Sequence, residues 1–379
     1  MRICITTHNF PLTEKDSRDA GVFVKDFAYE LQKKGNDVFV FVPDINGKKG
    51  CFKDIKVEWF TWLGGKKKLG DLSLKNPIDL IMFLSLFFSG PIKLEEFIRK
   101  NDIDELISMW AIPSGYFAYR ASKKTGIKYS VWALGSDINK YSRFPVLGGV
   151  IKKVLINSRF LFANGTVLAD KIEKISRKKC EVLSTARILP SETIEVQVDK
   201  TKKNFLFVGR LEKVKGIDIL IEAMVEVFKK NQNCVLYILG DGSLKERIHE
   251  FVLKNNFADK IILKGNVSSL EVASFLKVCD CVILPSRSES APLVIGEAVQ
   301  FRTPLIVSNV GDMENIIKKY KIGRVFTSLD RKALTAEILD FISGEVKIGD
   351  VNFDLAKKYF NINNSVDRFN RMIQMNNNA

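Results

Sequence analysis

The sequence predicts an α/β protein built of two doubly wound domains, and three observations carry that expectation. The chain has 379 residues, 46% of them hydrophobic, which is more than one core usually holds and enough for two. Short, unbroken apolar runs alternate with stretches of helical period, the rhythm of parallel strands joined by crossover helices. That rhythm breaks between Arg187 and Lys203 and then restarts. No internal repeat of about 20 to 50 residues accompanies it, which argues against a solenoid.

In the first half the strand candidates are Ile3–Thr6, Val38–Val42, Leu106–Met109, Tyr129–Ala133 and Phe160–Ala163. A helical pattern over Ala20–Lys34 separates the first two, and Gly35 suits its C-terminal cap. The stretch Gly64–Gly90 fits neither period. Its apolar part, Leu80–Phe88, is the most hydrophobic in the chain and falls short of the ~18 residues that a spanning helix needs. The start, Met1–His8, is too short an apolar run for a signal peptide and reads as a first strand. A cytoplasmic protein, soluble or peripheral to a membrane, is expected.

Ile188-Leu189-Pro190-Ser191-Glu192 and the polar Lys200-Thr201-Lys202-Lys203 read as an interdomain connection. The expected division is an N-terminal domain over 1–190, a C-terminal domain over 201–350, and a helical tail over 351–379. The second domain opens with Phe205–Val208. Ile217, Leu220, Ile221, Met224, Val227 and Phe228 then give one apolar helix face. Strands follow at Val235–Leu239, Ile261–Leu263, Cys281–Leu284 and Leu305–Val307, and a last helical pattern covers Phe353–Met372.

The net charge of +15 favours an anionic partner. The excess lies mainly in residues 1–200, which hold 33 Lys/Arg against 23 Asp/Glu. Lys66-Lys67-Lys68 precedes the apolar Leu80–Phe88, an order that suits an anionic membrane face. Nucleic acid is the rival anion, but the chain lacks an aromatic-basic recognition motif. Most of the six cysteines lie in or beside apolar runs, as buried thiols of a reducing compartment do. Cys279 and Cys281 lack the second pair that a zinc site requires. Asp102-Ile103-Asp104 has the spacing of a metal-binding pair, yet no nucleotide motif stands beside it, so it reads as a solvated turn and no metal is expected.

The chemistry is concentrated in the second half. After Cys281–Leu284 comes a Pro/Ser-rich loop carrying Glu289; Pro292 then suits the first turn of a helix that carries Glu297. Two acids beyond the carboxyl end of a parallel strand, astride a helix start, stand where an open α/β sheet binds its ligand. The free amides of that helix start favour an anion. Gly209-Arg210-Leu211-Glu212-Lys213-Val214-Lys215-Gly216 follows the domain's first strand, and its guanidinium and ammonium suit a diphosphate. Gly240-Asp241-Gly242 ends the next strand.

These motifs resemble those of the retaining glycosyltransferases of family four, in their order as well as their spacing. The resemblance implies the GT-B fold, in which two Rossmann-like domains face each other across a cleft and a C-terminal helix crosses back to the first domain. It implies transfer of a sugar from a nucleotide diphosphate sugar, UDP-linked by preference or GDP-mannose, to a glycan or lipid-linked acceptor. By the same resemblance Glu289 holds the donor sugar, Arg210 and Lys215 the diphosphate, and Glu297 the ribose. Gly209, Gly240, Gly242, Val267, Leu293 and Val294 would line the nucleotide, while Gly21 and Asp137 would approach from the first domain. No metal or other cofactor is implied.

The chain departs from the family pattern at four places. Leu134 of Trp132-Ala133-Leu134-Gly135-Ser136-Asp137 stands at the family's histidine, which would orient the reacting hydroxyls. Asp312 replaces the second glycine of a Gly-Gly-x-x-Glu element, Phe301-Arg302 replaces a small residue and a glycine, and Gly21 is one glycine where many members have two. Of the two histidines, His249 reads as a surface residue. His8, at the end of the first strand, is placed either to face the cleft or to serve the fold. A nucleotide-sugar-binding protein without activity is the alternative that these departures leave open.

Overall fold

The computed structural model describes residues 1–12, 21–44, 52, 54–65, 69, 72, 76–344 and 350–375, so the Lys66-Lys67-Lys68 run lies outside the described residues. The chain forms two compact units, one of Met1–Ser184 with Ile362–Ala379, the other of Thr185–Asn361.

The first unit runs β1 (Arg2–Thr6), α1 (Val22–Lys33), β2 (Asp37–Pro43), β3 (Lys56–Phe60), α2 (Pro77–Asn101), β4 (Glu105–Met109) and α3 (Ser114–Thr125). It continues through β5 (Lys128–Ala133), α4 (Ser136–Asn139), α5 (Pro145–Asn157), β6 (Leu161–Ala163), α6 (Thr166–Ser176) and β7 (Cys180–Val182). The second unit comprises β8 (Lys203–Val208), α7 (Ile217–Lys230), β9 (Cys234–Leu239), α8 (Lys245–Lys254), β10 (Ile261–Gly265), α9 (Ser269–Val278) and β11 (Cys281–Leu284). Then follow α10 (Leu293–Gln300), β12 (Leu305–Ser308), α11 (Met313–Tyr320), β13 (Gly323–Phe326), α12 (Arg331–Ser343) and α13 (Asp350–Tyr359). The last helix, α14 (Ile362–Met375), returns to the first unit.

Both sheets are parallel throughout. Their strand orders are β3-β2-β1-β4-β5-β6-β7 and β10-β9-β8-β11-β12-β13. Central strands such as Val38–Val42 and Cys281–Leu284 are buried along their length, which is why they read as unbroken apolar runs. The three strands that the sequence pattern did not reveal, β3, β7 and β13, are all at sheet edges. There one side is open, and residues such as Lys56, Glu58, Glu181 and Arg324 interrupt the apolar run.

Two boundaries differ from the expected division. Residues 185–200 are part of the second unit, because Leu189, Val196 and Val198 pack into its core. The helical tail is two helices with different hosts. Phe353, Ala356 and Phe360 bury α13 in the second unit, whereas Val366, Phe369 and Ile373 of α14 fill the first. Phe369 meets Phe27 of α1 at 5.9 Å and Phe162 of β6 at 5.8 Å, both edge-on. Arg159 donates to the carbonyl of Ile373 at 3.2 Å and also pairs with the buried Glu105 at 2.8 Å. Burial pushes the Glu105 carboxyl above its ordinary value, and Arg159 opposes that shift.

The stretch that fitted neither period contains α2. Asn76 caps it by accepting from the Ile78 amide at 2.9 Å, and Pro77 occupies its first turn. Gly90 lets α3 approach, since a methyl group there would stand 2.8 Å from the Phe117 ring. Leu86, Leu94, Phe97 and Ile98 face the core, but Ile78, Ile81, Leu84, Phe88 and Ile92 are exposed. Apolar residues on both faces erase the helical period, which is why the stretch defied reading. With 25 residues, α2 is long and apolar enough to cross a membrane by length and composition, longer than the sequence expectation; in this fold it lies against the sheet and α3.

Replacing Phe369 with Ala should destabilise the first unit by about 3–5 kcal/mol, the cost of emptying a buried aromatic site. Urea unfolding followed by tryptophan fluorescence, which reports the first unit's Trp132 beside Phe27, measures it; a loss below about 1 kcal/mol would show that α14 is only loosely attached.

Candidate active site

Adjacent positions of β8 and β11 in the sheet bring together two loops that are far apart in the chain. Lys215 follows β8, Glu289 follows β11, and their side chains form an ion pair with Ser286 Oγ also on the Glu289 carboxylate at 3.3 Å. Gly216, next to Lys215, has a left-handed φ of +71°, and a methyl group there would stand 1.8 Å from the Pro285 carbonyl oxygen. Arg287 completes the junction. Its amide donates to Val214 O at 2.8 Å, and its guanidinium grips Asp218 through bonds of 2.6 and 2.8 Å. Partial burial pushes the Asp218 carboxyl up, but the Arg287 bonds and charge outweigh it and hold the group below its ordinary value.

The loop bearing Glu289 is supported from its other side as well. A methyl group on Gly311, φ +59°, would lie 2.4 Å from Glu289 O, and the Asp312 amide donates to Ser290 O at 2.9 Å. The buried Asp312 thus holds the place of the family's second glycine through its backbone.

Glu297 lies on α10, buried, with Arg187 at 3.3 Å. Arg187 also bonds Ser269 Oγ at the start of α9, and its carbonyl accepts from Gln300 at 2.6 Å. Burial pushes the Glu297 carboxyl up, opposed by Arg187. Neither Arg187 nor Ser269 was singled out by the sequence, because a basic residue in an apparent linker gives no signal of its partner 110 positions away. Phe301 packs on the core, while Arg302 adopts the left-handed φ of +58° that suits a glycine and pairs with Asp354 at 2.8 Å.

Arg210 is exposed on the loop after β8. Gly240 and Gly242 press against that loop: a methyl group would stand 1.9 Å from Gly209 O at Gly240 and 2.7 Å from the Leu211 amide at Gly242. These two glycines therefore serve loop-on-loop packing, which the Leu211 amide extends by donating to Asp241 O at 2.9 Å. Val267 and Val294 are half-buried against the same core, and Leu293 opens α10.

In the first unit, Gly21 precedes α1, where a methyl group would stand 2.5 Å from Asn9 O; the glycine seats the segment after β1. Asp137 has a different task from the expected one of meeting a substrate hydroxyl. It is buried, and it accepts from the Ala111 amide at 2.7 Å and the Gly135 amide at 3.1 Å, so its carboxylate organises the loops after β4 and β5. Burial pushes that carboxyl up, against these amide bonds. Asp102 and Asp104 are tied to Arg2, at 3.1 and 2.7 Å, as turn residues. Among the described residues no group of three or more His, Cys, Asp or Glu is placed to hold a metal ion.

The family model of glycosyl transferases group 1 matches residues 191–358, the span that holds Lys215, Glu289 and Glu297. An uncharacterized glycosyltransferase of Methanocaldococcus jannaschii, MJ1178, is 30% identical over 275 residues, 69% of this chain and 73% of that protein. The chain belongs to the group 1 glycosyl transferases. The putative teichuronic acid biosynthesis glycosyltransferase TuaC of Bacillus subtilis is 25% identical to this glycosyltransferase over 347 residues, 85% of one chain and 84% of the other. Anabaena HepE, solved with UDP-glucose, shares the GT-B fold with a TM-score of 0.73 at 14% identity, covering 99% and 100% of the two chains.

Gly216→Ala in this glycosyltransferase should move the Pro285 loop away from Lys215 and so lower transfer at least tenfold, while Gly149→Ala, where a methyl group meets open space, should leave transfer within about twofold. Initial rates of nucleoside diphosphate release compare the two.

Proposed function

We propose that this glycosyltransferase moves a sugar from a nucleoside diphosphate sugar to a hydroxyl of a glycan or lipid-linked acceptor, with retention at the anomeric carbon. The observation that carries the reading is the meeting of Lys215 and Glu289, a cation and a carboxylate from loops that the sheet makes neighbours. In this reading Lys215 turns to the diphosphate when donor binds, Arg210 joins it from the exposed loop, and Glu289 is released to hold hydroxyls of the donor sugar. Glu297 receives the ribose. The two cations offset the charge that grows on the departing phosphate, so the reading asks for no metal. That phosphate oxygen takes the acceptor's proton as the new glycosidic bond forms on the face it leaves. A UDP-linked donor is favoured, since HepE was solved with UDP-glucose, and GDP-mannose is the second choice. Polysaccharide or glycoconjugate synthesis in the cytoplasm is the context that TuaC's printed role supports. A binder without turnover is the alternative, and transfer from any donor to any acceptor would eliminate it.

We further propose peripheral contact with an anionic membrane through α2. Ile78, Ile81, Leu84, Phe88 and Ile92 share one stripe, and Leu63 adjoins it through an amide bond to Ser85 Oγ at 3.3 Å. The stripe extends about 21 Å at 1.5 Å per residue. From Ile78 to Ile92 the one charged residue is Asp79, which is buried. Lys93, Arg99 and Lys100 follow on α2, and Arg120, Lys123 and Lys124 lie on the adjoining α3. An apolar stripe with cations beside it suits an interfacial helix.

Lys215→Ala and Glu289→Ala should each lower transfer by at least about a hundredfold while the melting temperature moves by only a few degrees. Near-normal transfer in either variant contradicts the assignment. Phe88 is 74% exposed, so Phe88→Asp should fold normally and lose sedimentation with phosphatidylglycerol vesicles. Undiminished sedimentation would remove α2 as the contact.

A further inference from the structure

The strand order of the first sheet reverses between β1 and β4, and ligands of open α/β sheets bind outside the carboxyl ends of the strands at such a switch point. The residues just beyond those two strands are His8 and Trp110, whose rings lie 4.3 Å apart at 53°. Trp110 holds a left-handed φ of +69°, rare for a bulky residue; its amide donates to Trp132 O at 2.9 Å, and the next amide, of Ala111, is fixed by Asp137.

A second observation points to the same edge. Five buried side-chain polar atoms have no hydrogen-bond partner among the described residues: His8 Nδ1, Asp44 Oδ1, Ser114 Oγ, Trp132 Nε1 and Asn204 Oδ1. The first four follow β1 and β2, open the helix after β4, or sit near the end of β5. Buried polar atoms are nearly always satisfied, so four orphans along one carboxyl edge mark a place for a polar ligand. Leu134 stands where the family has its histidine, and both oxygens of Asp137 are occupied by backbone amides.

We propose that His8 and Trp110 seat a sugar ring of the acceptor, Trp110 against its C–H face and the His8 imidazole in a hydrogen bond with one of its hydroxyls. This rests on the glycosyl-transfer reading above and gives the acceptor a carbohydrate at its receiving end. Burial lowers the His8 pKa to about 4, so the ring is neutral near pH 7 and offers one N–H and one lone pair. His8 binds and orients the hydroxyl and takes no proton from it. Gly21 makes the seat possible by letting the Asn9 backbone lie against the start of α1.

The chain has two histidines, so imidazole 15N resonances separate His8 from His249 in the intact protein. The probes are methyl glycopyranosides of glucose, galactose, mannose and N-acetylglucosamine. At least one should shift the His8 nitrogens and leave His249 unmoved. His8→Ala should weaken that glycoside's binding about tenfold, the loss of one hydrogen bond, and His8→Gln should recover part of it. Trp110→Phe, which keeps a ring, should bind more weakly than the parent and more tightly than Trp110→Ala. If no glycoside moves His8, or if His8→Ala binds as tightly as the parent, the proposal is overturned. Parallel titration with uridine, guanosine and adenosine diphosphates keeps the two readings apart. Failure of all three to bind counts against the donor assignment, whereas nucleotide binding without any glycoside effect counts against the His8 seat alone.

Discussion

The contact between Gly216 and the Pro285 carbonyl is the constraint on which the second unit's site depends. Two loops meet there with no room for a side chain, and Arg287 locks them by bonding both the Val214 carbonyl and Asp218. Without that junction Lys215 and Glu289, 74 positions apart, would have no fixed relation. Gly311 applies the same logic from the opposite side, so the Glu289 backbone is held between two glycine contacts. Functional groups gripped in this way need little rearrangement to meet a ligand.

Charge is arranged as deliberately as backbone. Two acids of the site are already matched, Glu289 by Lys215 and Glu297 by Arg187, and the second pair is the more deeply buried. Arg210 differs from both cations, being exposed and in no ion pair among the described residues. It is the group on this loop most open to an incoming anion, while Lys215 changes partner only once the anion has arrived. A buried pair such as Glu297 and Arg187 is strongly coupled, since removal of either leaves the other's charge without compensation.

Much of this was legible in the sequence. The parallel alternation, the Lys215 loop, and the two glutamates with their helix were readable because each rests on local pattern: apolar runs, turn residues and fixed spacing. What escaped depends on tertiary partners. Edge strands β3, β7 and β13 carry charges that blur their period, and α2 is apolar on both faces. Arg187 acquires its meaning only beside Glu297. Gly240, Gly242 and Gly21 were expected to face a ligand, yet their neighbours are other loops. Asp137 was recognised as special, although its buried bonds give it a supporting task.

The return of α14 orders events during synthesis. Val366, Phe369 and Ile373 fill the interior of the first unit, yet every residue of the second unit is translated before them. The ribosome must therefore emit the whole nucleotide-side body while the earlier body still shows a greasy groove along Phe27 and Phe162. Chaperones that shield nascent apolar surface would find their longest-lived target in that unfinished half, and premature termination after Asn361 would leave it permanently open.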